Sequence, residues 1–490
     1  MIGMLRCWRT WYPNRRLTIG LSGLIAFAVY QQTAAPTIYT LDSSELTVAA
    51  YTLGPAHPPG YPLYLLLGRL FITLFPWGDP GYRLNILSAV FGGLTVALAC
   101  TILLTIGCRK LVALTASLCL AFSFYFWSPA LMAEVYTLHS FLTATLIWLA
   151  LRWRKQIQQS NRQMGEHLNQ TKVTHTLWLL AFVFGLSLGN HLTMVLIVPG
   201  LALLLVQTAG KWLLRPRLVV GTLIALALGL SVYLYLPLRA GTVTMPSFLG
   251  VITARAFWPF IFAYPWQGFG QEMLARLYEL WGNFLGFGLS LIVIGLFIGW
   301  RRDRPLALSL LLIILANTLF LAGYRVADKQ LMFGHVYLVW AIFLGWGFQF
   351  LAEQLHVGAY WRPSLTAVFL LPPLVMVVVN YPYADLSDDW RVRLRAEQIM
   401  NTVEPQTAVF VRSWVERTPL EYLQQVESQR TDVAILEIHN YPPAALQDFV
   451  VTYFNDRPIY STVMLPLPVN YQSVWQERCN CYKIERSVEP

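Results

Sequence analysis

The sequence predicts a polytopic α-helical membrane protein of about eleven spanning helices, followed by a small α/β domain outside the membrane. Three observations lead there. Only 12% of the 490 residues are charged while 56% are hydrophobic, against roughly 25% charged in soluble domains. Apolar runs near the ~18–20 residues that a bilayer demands recur up to residue 380. Residues 381–490 then carry 25 of the 60 charged side chains and no such run.

The expected spans are 17–36, 84–106, 111–128, 135–152, 176–190, 192–208, 218–237, 280–300, 306–323, 333–352 and 363–380. The first follows Arg6, Arg9, Arg15 and Arg16 and looks like a signal peptide, but no A-x-A-like cleavage site is evident, so it reads as a retained helix. The apolar stretch 60–76 holds Arg69 in its middle and prolines at both ends, and it reads as an interfacial or re-entrant helix. With that assignment 18 Lys and Arg fall in cytoplasmic segments and seven in outer loops of the membrane part, namely Arg69, Arg83, Arg239, Arg255, Arg276, Arg325 and Lys329. Positive charge collects on the cytoplasmic side, so the N-terminus is expected inside and the C-terminus outside. Acids show the opposite skew. Asp42, Glu45, Asp79, Glu134, Glu272, Glu279 and Asp328 fall outside, against Glu166, Asp303 and Glu353 inside. Acids barely influence topology, so the skew asks for a chemical reason.

The expected domains are 1–380, membrane-embedded with a first outer loop at 37–83, and 381–490, soluble. In the soluble part helices at 391–402, 418–428 and 443–454 alternate with strands at 407–413, 432–438 and 458–465, which suggests a parallel sheet. No Gly-rich phosphate loop opens any of these helices. The net charge of +10 sits at helix ends and forms no basic stripe for nucleic acid. Cys100, Cys108 and Cys119 read as packing residues. Cys479 and Cys481 form a Cys-x-Cys without a second ligand pair, and no disulfide framework is expected.

The first outer loop concentrates reactive residue types. Asp42 and Glu45 stand three residues apart and share a face if the segment is helical. Desolvation at a membrane surface makes a carboxylate a better base; the alternative is an N-cap with an ordinary first-turn acid. Downstream, His57-Pro58-Pro59-Gly60-Tyr61-Pro62 fixes a rigid turn around His57.

The string DSSELTVAAYTLGPAHPPGYPLYLLLGRLF, followed by Arg83, Asn85 and Ser88, resembles the GT-C glycosyltransferases of the protein O-mannosyltransferase type. The resemblance is nearest to a branch that contains bacterial membrane proteins and an animal transmembrane O-mannosyltransferase. It continues through Trp127-Ser128, Ala133-Glu134-Val135-Tyr136, Gly185 to His191, and Leu236-Pro237-Leu238-Arg239, and weakens beyond about 240. It implies a GT-C-type fold in a prokaryotic plasma membrane. The implied activity is transfer of a sugar, mannose in the resembled enzymes, from a polyprenyl-phosphate donor to a protein, lipid or glycan acceptor on the outer face. The catalytic role would fall on Asp42, with Glu45 second. Those enzymes place Asp and Glu side by side, whereas Ser43 and Ser44 separate them here. No cofactor is implied, although Asp42 leaves room for one divalent cation.

Read from the residues alone, glycosyl transfer needs a base for the acceptor hydroxyl and cations for the departing phosphate. Donor- and acceptor-binding candidates are His57, Glu134, Tyr136, Asn190, His191, Arg239, Arg325 and Lys329, with Arg255 a further cation. Arg239 ends a span, where its fork suits a phosphate or simply snorkels. Glu134 is either a site residue or a charge at a helix N-terminus, and Asn190-His191 either binds the donor or caps helices. Arg325, Asp328, Lys329 and Gln330 suggest an outer ion-pair cluster beside His335. Trp258, Tyr264 and Trp266 would stack on a sugar or form an interfacial belt. Two other function classes fit the composition, a transporter or flippase of lipid-linked substrates and an assembly protein. The polar groups cluster on one face and the halves do not repeat, unlike many transporters.

Overall fold

The structure, a computed structural model, describes residues 14–162, 170–240, 244–355, 362–453 and 457–487; Arg6, Arg9 and Glu166 lie outside the described residues. The chain divides into two compact units. One comprises Met1–Ala34, His57–Tyr64 and Ile86–Asp385, and the other Ala35–Ala56, Leu65–Asn85 and Leu386–Pro490. Most of the first outer loop thus groups with the C-terminal segment.

The first unit is helical. Among the described residues seven helices are long and apolar enough to cross a membrane: Pro80–Thr105, Thr171–Leu188, Leu192–Leu214, Pro216–Arg239, Arg304–Gly323, Leu331–Gln354 and Ala367–Ala384. Two bent pairs raise the number to nine, Lys110–Ala121 with Phe124–Ala130 at 73° and Trp266–Asn283 with Phe287–Arg302 at 103°. The remaining expected spans, 17–36 and 135–152, are the helices Arg15–Thr33 and Val135–Arg162. Their composition differs because one opens on Arg15-Arg16 and closes on Gln-Gln-Thr, while the other carries Tyr136, His139, Ser140 and a basic end. The stretch 60–76 forms the helix Pro62–Leu74, whose 13 residues are too few to cross.

Exposure in this unit follows lipid rules. Leu223, Ile224, Leu228 and Leu234 of the Pro216–Arg239 segment are more than half exposed, while the segment Leu331–Gln354 is almost wholly buried. Small residues allow close approach. Gly185 lies against the backbone of Leu226 and Leu230, and Gly295 against that of Phe343, so a Cβ at either would collide with main chain. Ion pairs join residues that the span assignment puts on one side. Arg154 grips Asp303 with two hydrogen bonds of 2.6 and 2.9 Å, and Arg302 pairs with Glu353.

The second unit is a five-stranded sheet with helices. Strands β1 (Ala408–Val411), β2 (Ala434–Glu437), β3 (Ile459–Ser461), β4 (Tyr471–Gln476) and β5 (Cys481–Arg486) run in the order β2-β1-β3-β5-β4. The first three pair in parallel, as the alternation with helices Arg391–Thr402, Trp414–Gln425 and Pro443–Tyr453 leads one to expect. The β4–β5 hairpin adds an antiparallel edge, so the sheet is mixed. Polar alternation in 471–486 is too weak to mark these strands in advance. Cys479 and Cys481 form a disulfide at the start of β5, where no disulfide framework is expected from the sequence.

Ile38 and Val48 from the first loop are buried in one core with Ile399, Val409, Leu420 and Tyr422. Arg393 joins the same segments electrostatically, pairing with Glu427 at 2.6 Å, Glu397 at 2.7 Å and Asp79 at 3.4 Å. Asp79 also caps Tyr82 through a 2.7 Å hydrogen bond. Burial pushes the Asp79 carboxyl up despite these partners.

Candidate active site

In the second unit Asp42 is 5% exposed and stands at the N-cap of helix Ser43–Thr52, yet its carboxylate makes no capping hydrogen bond. The N-cap alternative therefore lacks its expected contact. The turn is held by the two serines. Ser43 Oγ accepts from the Tyr39 amide at 3.2 Å and Ser44 Oγ donates to the Tyr39 carbonyl at 2.9 Å. Leu41 adopts φ 57°, a conformation that non-glycine residues seldom take, immediately before Asp42. Carboxylate oxygens of Asp42 and Glu45 come within 4.8 Å. Glu45 faces a further acid, Glu421, whose own carboxyl is raised by burial and lacks enough opposing charge to restore it. Two carboxylates that close are suited to accept a proton or to share a divalent cation.

The first unit gathers His57, Glu134, Tyr136, Asn190 and His191. The Tyr61 hydroxyl and His57 Nε2 lie 2.7 Å apart, and the Tyr61 ring stacks on His191 at 6.0 Å. The Leu63 amide donates to the Gly189 carbonyl at 3.0 Å, tying the proline-rich turn to the Asn190-His191 turn. Asn190 Nδ2 donates to the Val135 carbonyl at 3.1 Å, and the Glu134 amide donates to Ser88 Oγ at 3.2 Å. Glu134 is wholly buried. His191 Nδ1 and Thr193 Oγ1 are 2.7 Å apart, while the His191 ring touches both Tyr136 and His139. His139 continues the line to His335 at 4.4 Å between centroids, and His335 Nε2 meets Asn317 Oδ1 at 2.7 Å.

The expected outer ion-pair cluster has different partners. Asp328 accepts the Tyr136 hydroxyl. Lys329 is buried, pairs with Glu272 at 2.7 Å and donates to Tyr264 Oη at 2.9 Å. Arg276, counted above as an outer cation, is buried between Glu279 at 2.8 Å and Glu272 at 3.5 Å. Neighbours in sequence point apart here, so charges pair across elements. Arg325 is exposed with its guanidinium 5.9 Å above the Tyr264 ring. Arg239 is exposed at the end of helix Tyr235–Ala240.

Sequence reasoning missed Tyr61 as the partner of His57, although the four-residue spacing inside the proline-rich string was visible. It also missed Glu272 and Asn317, whose partners lie far along the chain.

The fold is similar to that of solved membrane proteins. ArnT from Cupriavidus metallidurans bound to undecaprenyl phosphate superposes with a TM-score of 0.58 at 12% identity, covering 95% of this chain and 97% of that one. The Archaeoglobus fulgidus oligosaccharyltransferase in complex with Zn and sulfate gives 0.55 at 13% identity, covering 91% and 67%. In sequence the chain is similar to O-mannosyltransferases. The family model for the Protein O-mannosyl-transferase TMEM260 N-terminal domain matches residues 42–213. Protein O-mannosyl-transferase TMEM260 of Mus musculus is 24% identical over 459 residues, 84% of this chain and 62% of that protein. The Dictyostelium discoideum protein of the same description is 23% identical over 539 residues, 93% and 64% respectively. The chain thus spans less than two thirds of the length of these curated relatives. It is a multi-pass integral membrane protein.

Proposed function

We propose that this protein is a glycosyltransferase that moves a sugar, mannose by likeness to its relatives, from a polyprenyl-phosphate donor to an acceptor hydroxyl on the non-cytoplasmic face. The observation that carries the reading is the coincidence of Asp42, a buried carboxylate without a capping role, with the start of the O-mannosyl-transferase match at residue 42. The fold shared with a protein bound to undecaprenyl phosphate supports a lipid-linked donor.

In this reading Asp42 accepts the proton of the acceptor hydroxyl as its oxygen attacks the sugar's anomeric carbon. The bond from that carbon to the phosphate oxygen breaks, and polyprenyl phosphate leaves with the electron pair. Glu45 keeps the local field negative and orients Asp42. Arg239 and Arg325, both exposed, supply charge for the phosphate. His57, Glu134, Tyr136, Asn190 and His191 shape the donor site. The 18-to-7 division of Lys and Arg supports an inside N-terminus and an outside C-terminus.

The test is transfer of labelled mannose from polyprenyl-phosphate mannose in vesicles holding the purified protein, with Asp42→Asn beside it. Labelled product from the wild type alone supports the reading. Movement of intact labelled lipid between leaflets without any product would replace it by the transporter reading.

A further inference from the structure

Helix Trp266–Asn283 of the first unit is amphipathic in the opposite sense to a helix on a water-soluble surface. We propose that it lies flat in the membrane–water interface with its apolar face in the acyl chains, a lipid-contact element that neither crosses the bilayer nor stands in water. The inference goes beyond the glycosyltransferase reading and does not depend on it.

The distribution of side chains comes first. The three charged residues of the helix, Glu272, Arg276 and Glu279, recur at helical spacing with Asn283 and turn toward protein. Their partners are protein atoms. Arg276 lies between Glu279 and Glu272, Glu272 holds Lys329, and Asn283 Oδ1 accepts from the Tyr125 amide at 3.0 Å. The opposite stripe consists of Leu274, Leu277, Tyr278 and Trp281, each more than half exposed. A contiguous row of large apolar side chains left outside the fold marks a contact surface.

Geometry then says what covers that row. At Leu285 and Gly286, both with positive φ, the chain turns by 103° into helix Phe287–Arg302. This second helix packs along the span Leu331–Gln354, where a Cβ on Gly295 would meet the Phe343 carbonyl and one on Gly347 the Leu291 carbonyl. It takes the direction of a span, so the helix before the bend runs close to the membrane plane. Lengths agree with this placement. The 16 residues of Phe287–Arg302 reach about 24 Å, roughly 6 Å short of a ~30 Å hydrocarbon core. An in-plane helix sunk about 5–10 Å into the boundary of headgroups and acyl chains closes that gap. Exposed apolar side chains also continue across the bend, from Trp281 through Phe287 to Val293 and Phe297. Tryptophan and tyrosine favour this level, with an apolar body and a polar tip. Trp266, exposed at the start of the helix, then belongs to an interfacial belt.

The lipid seat bears on the site above it. Through Glu272 the inward stripe holds Lys329, and the neighbouring Asp328 accepts the Tyr136 hydroxyl. The helix thus sets the height at which the segment that orients Tyr136 stands over the bilayer.

The experiment uses the full chain in phosphatidylethanolamine–phosphatidylglycerol vesicles, with Cys100, Cys108 and Cys119 replaced by alanine. Single nitroxides are placed through Leu274→Cys, Tyr278→Cys and Trp281→Cys, and their collisions with oxygen and with a nickel chelate are read by power-saturation EPR. Three outward positions keep the test open if one variant misfolds. The three labels should lie at one depth, within about 3 Å, as a helix in the interface plane requires. Their nickel access should be about tenfold below that of a Val469→Cys label, on a side chain 95% exposed in the second unit. A depth that grows by about 1.5 Å per residue from Leu274→Cys to Trp281→Cys would overturn the proposal in favour of a crossing helix. Nickel access equal to that of the Val469→Cys label would overturn it in favour of a water-facing helix. Labels shut off from oxygen and nickel alike would overturn it in favour of a second copy or another protein seated on the stripe.

Discussion

The acids of the first-loop turn are set differently from those of the membrane unit. In the membrane unit Glu272 and Glu279 are bonded to Lys329 and Arg276, and Asp328 accepts a tyrosine hydroxyl. In the loop of the second unit Asp42 and Glu45 stand within 4.8 Å of each other, and Glu45 faces Glu421. A charge taken out of water is kept where it is paired and hydrogen-bonded. These acids of the first unit meet that condition and act as structural ties. The loop acids instead lie close to one another, and the proposed function makes them the reactive pair.

The largest test of that contrast is Asp42→Asn, which should cut transfer by about 10²–10⁴, the usual contribution of a general base. Asparagine keeps the size and cannot accept the proton, so expression and insertion should be unaffected. Glu45→Gln should be the milder change. Undiminished transfer in both would remove the carboxylates from the mechanism. On the other side, Glu279→Gln leaves Arg276 buried without its nearest acid. Breaking a buried pair in this way costs about 3–5 kcal/mol, read as a lower midpoint of thermal denaturation. If Glu279→Gln instead matched wild-type stability and lost transfer, the membrane acids would belong to the reactive set.

Next in size is Arg239→Ala. Loss of a charge-assisted phosphate contact costs about 1.5–3 kcal/mol, roughly ten- to a hundredfold, and should appear in the dependence on donor concentration. Arg255→Ala is the comparison, because that cation opens a short helical turn and ends no span. Equal effects from the two would mean a diffuse field with no specific contact.

How far these regions could be read from sequence follows the range of their interactions. The helix Arg391–Thr402 and the three parallel strands are legible because propensity and alternation are local. Spans such as 84–106 and 306–323 are equally plain. The joining of 35–56 and 65–85 to the C-terminal segment was not legible, since Ile38 and Val48 look like any apolar residues near a span until Tyr422 and Ile399 cover them. Lys329 was recognised as important and given the wrong neighbours, because Glu272 lies 57 positions away in the chain. Asp42 and His57 were found through the specific string around them, and their partners were not.

The smallest expected effect concerns an acid of the second unit that is paired as the membrane acids are, but in water. Asp432 accepts from Arg430 Nε at 3.0 Å and from the Gln406 amide at 2.9 Å. Arg430 also donates to the carbonyls of Met400, Val403 and Glu404, so it holds the end of helix Arg391–Thr402 beside β2. These hydrogen bonds, Arg430's first, hold the Asp432 carboxyl down at about 2, below the ordinary value of about 3.9. A carboxyl depressed on folding stabilises the fold above its unfolded value and loses that contribution as the pH falls from about 4 through about 2. Asp432→Asn imitates the protonated form. Amide exchange in the full chain, corrected for intrinsic rates, should be a few-fold faster in the variant at 400–406 and 432–437 at pH 7. The difference should shrink below pH 4 and vanish below about pH 2. A difference that persists unchanged at pH 2 would show that shape, not charge, ties Asp432 to Arg430, and the contrast drawn between paired and crowded acids would then hold for the membrane unit alone.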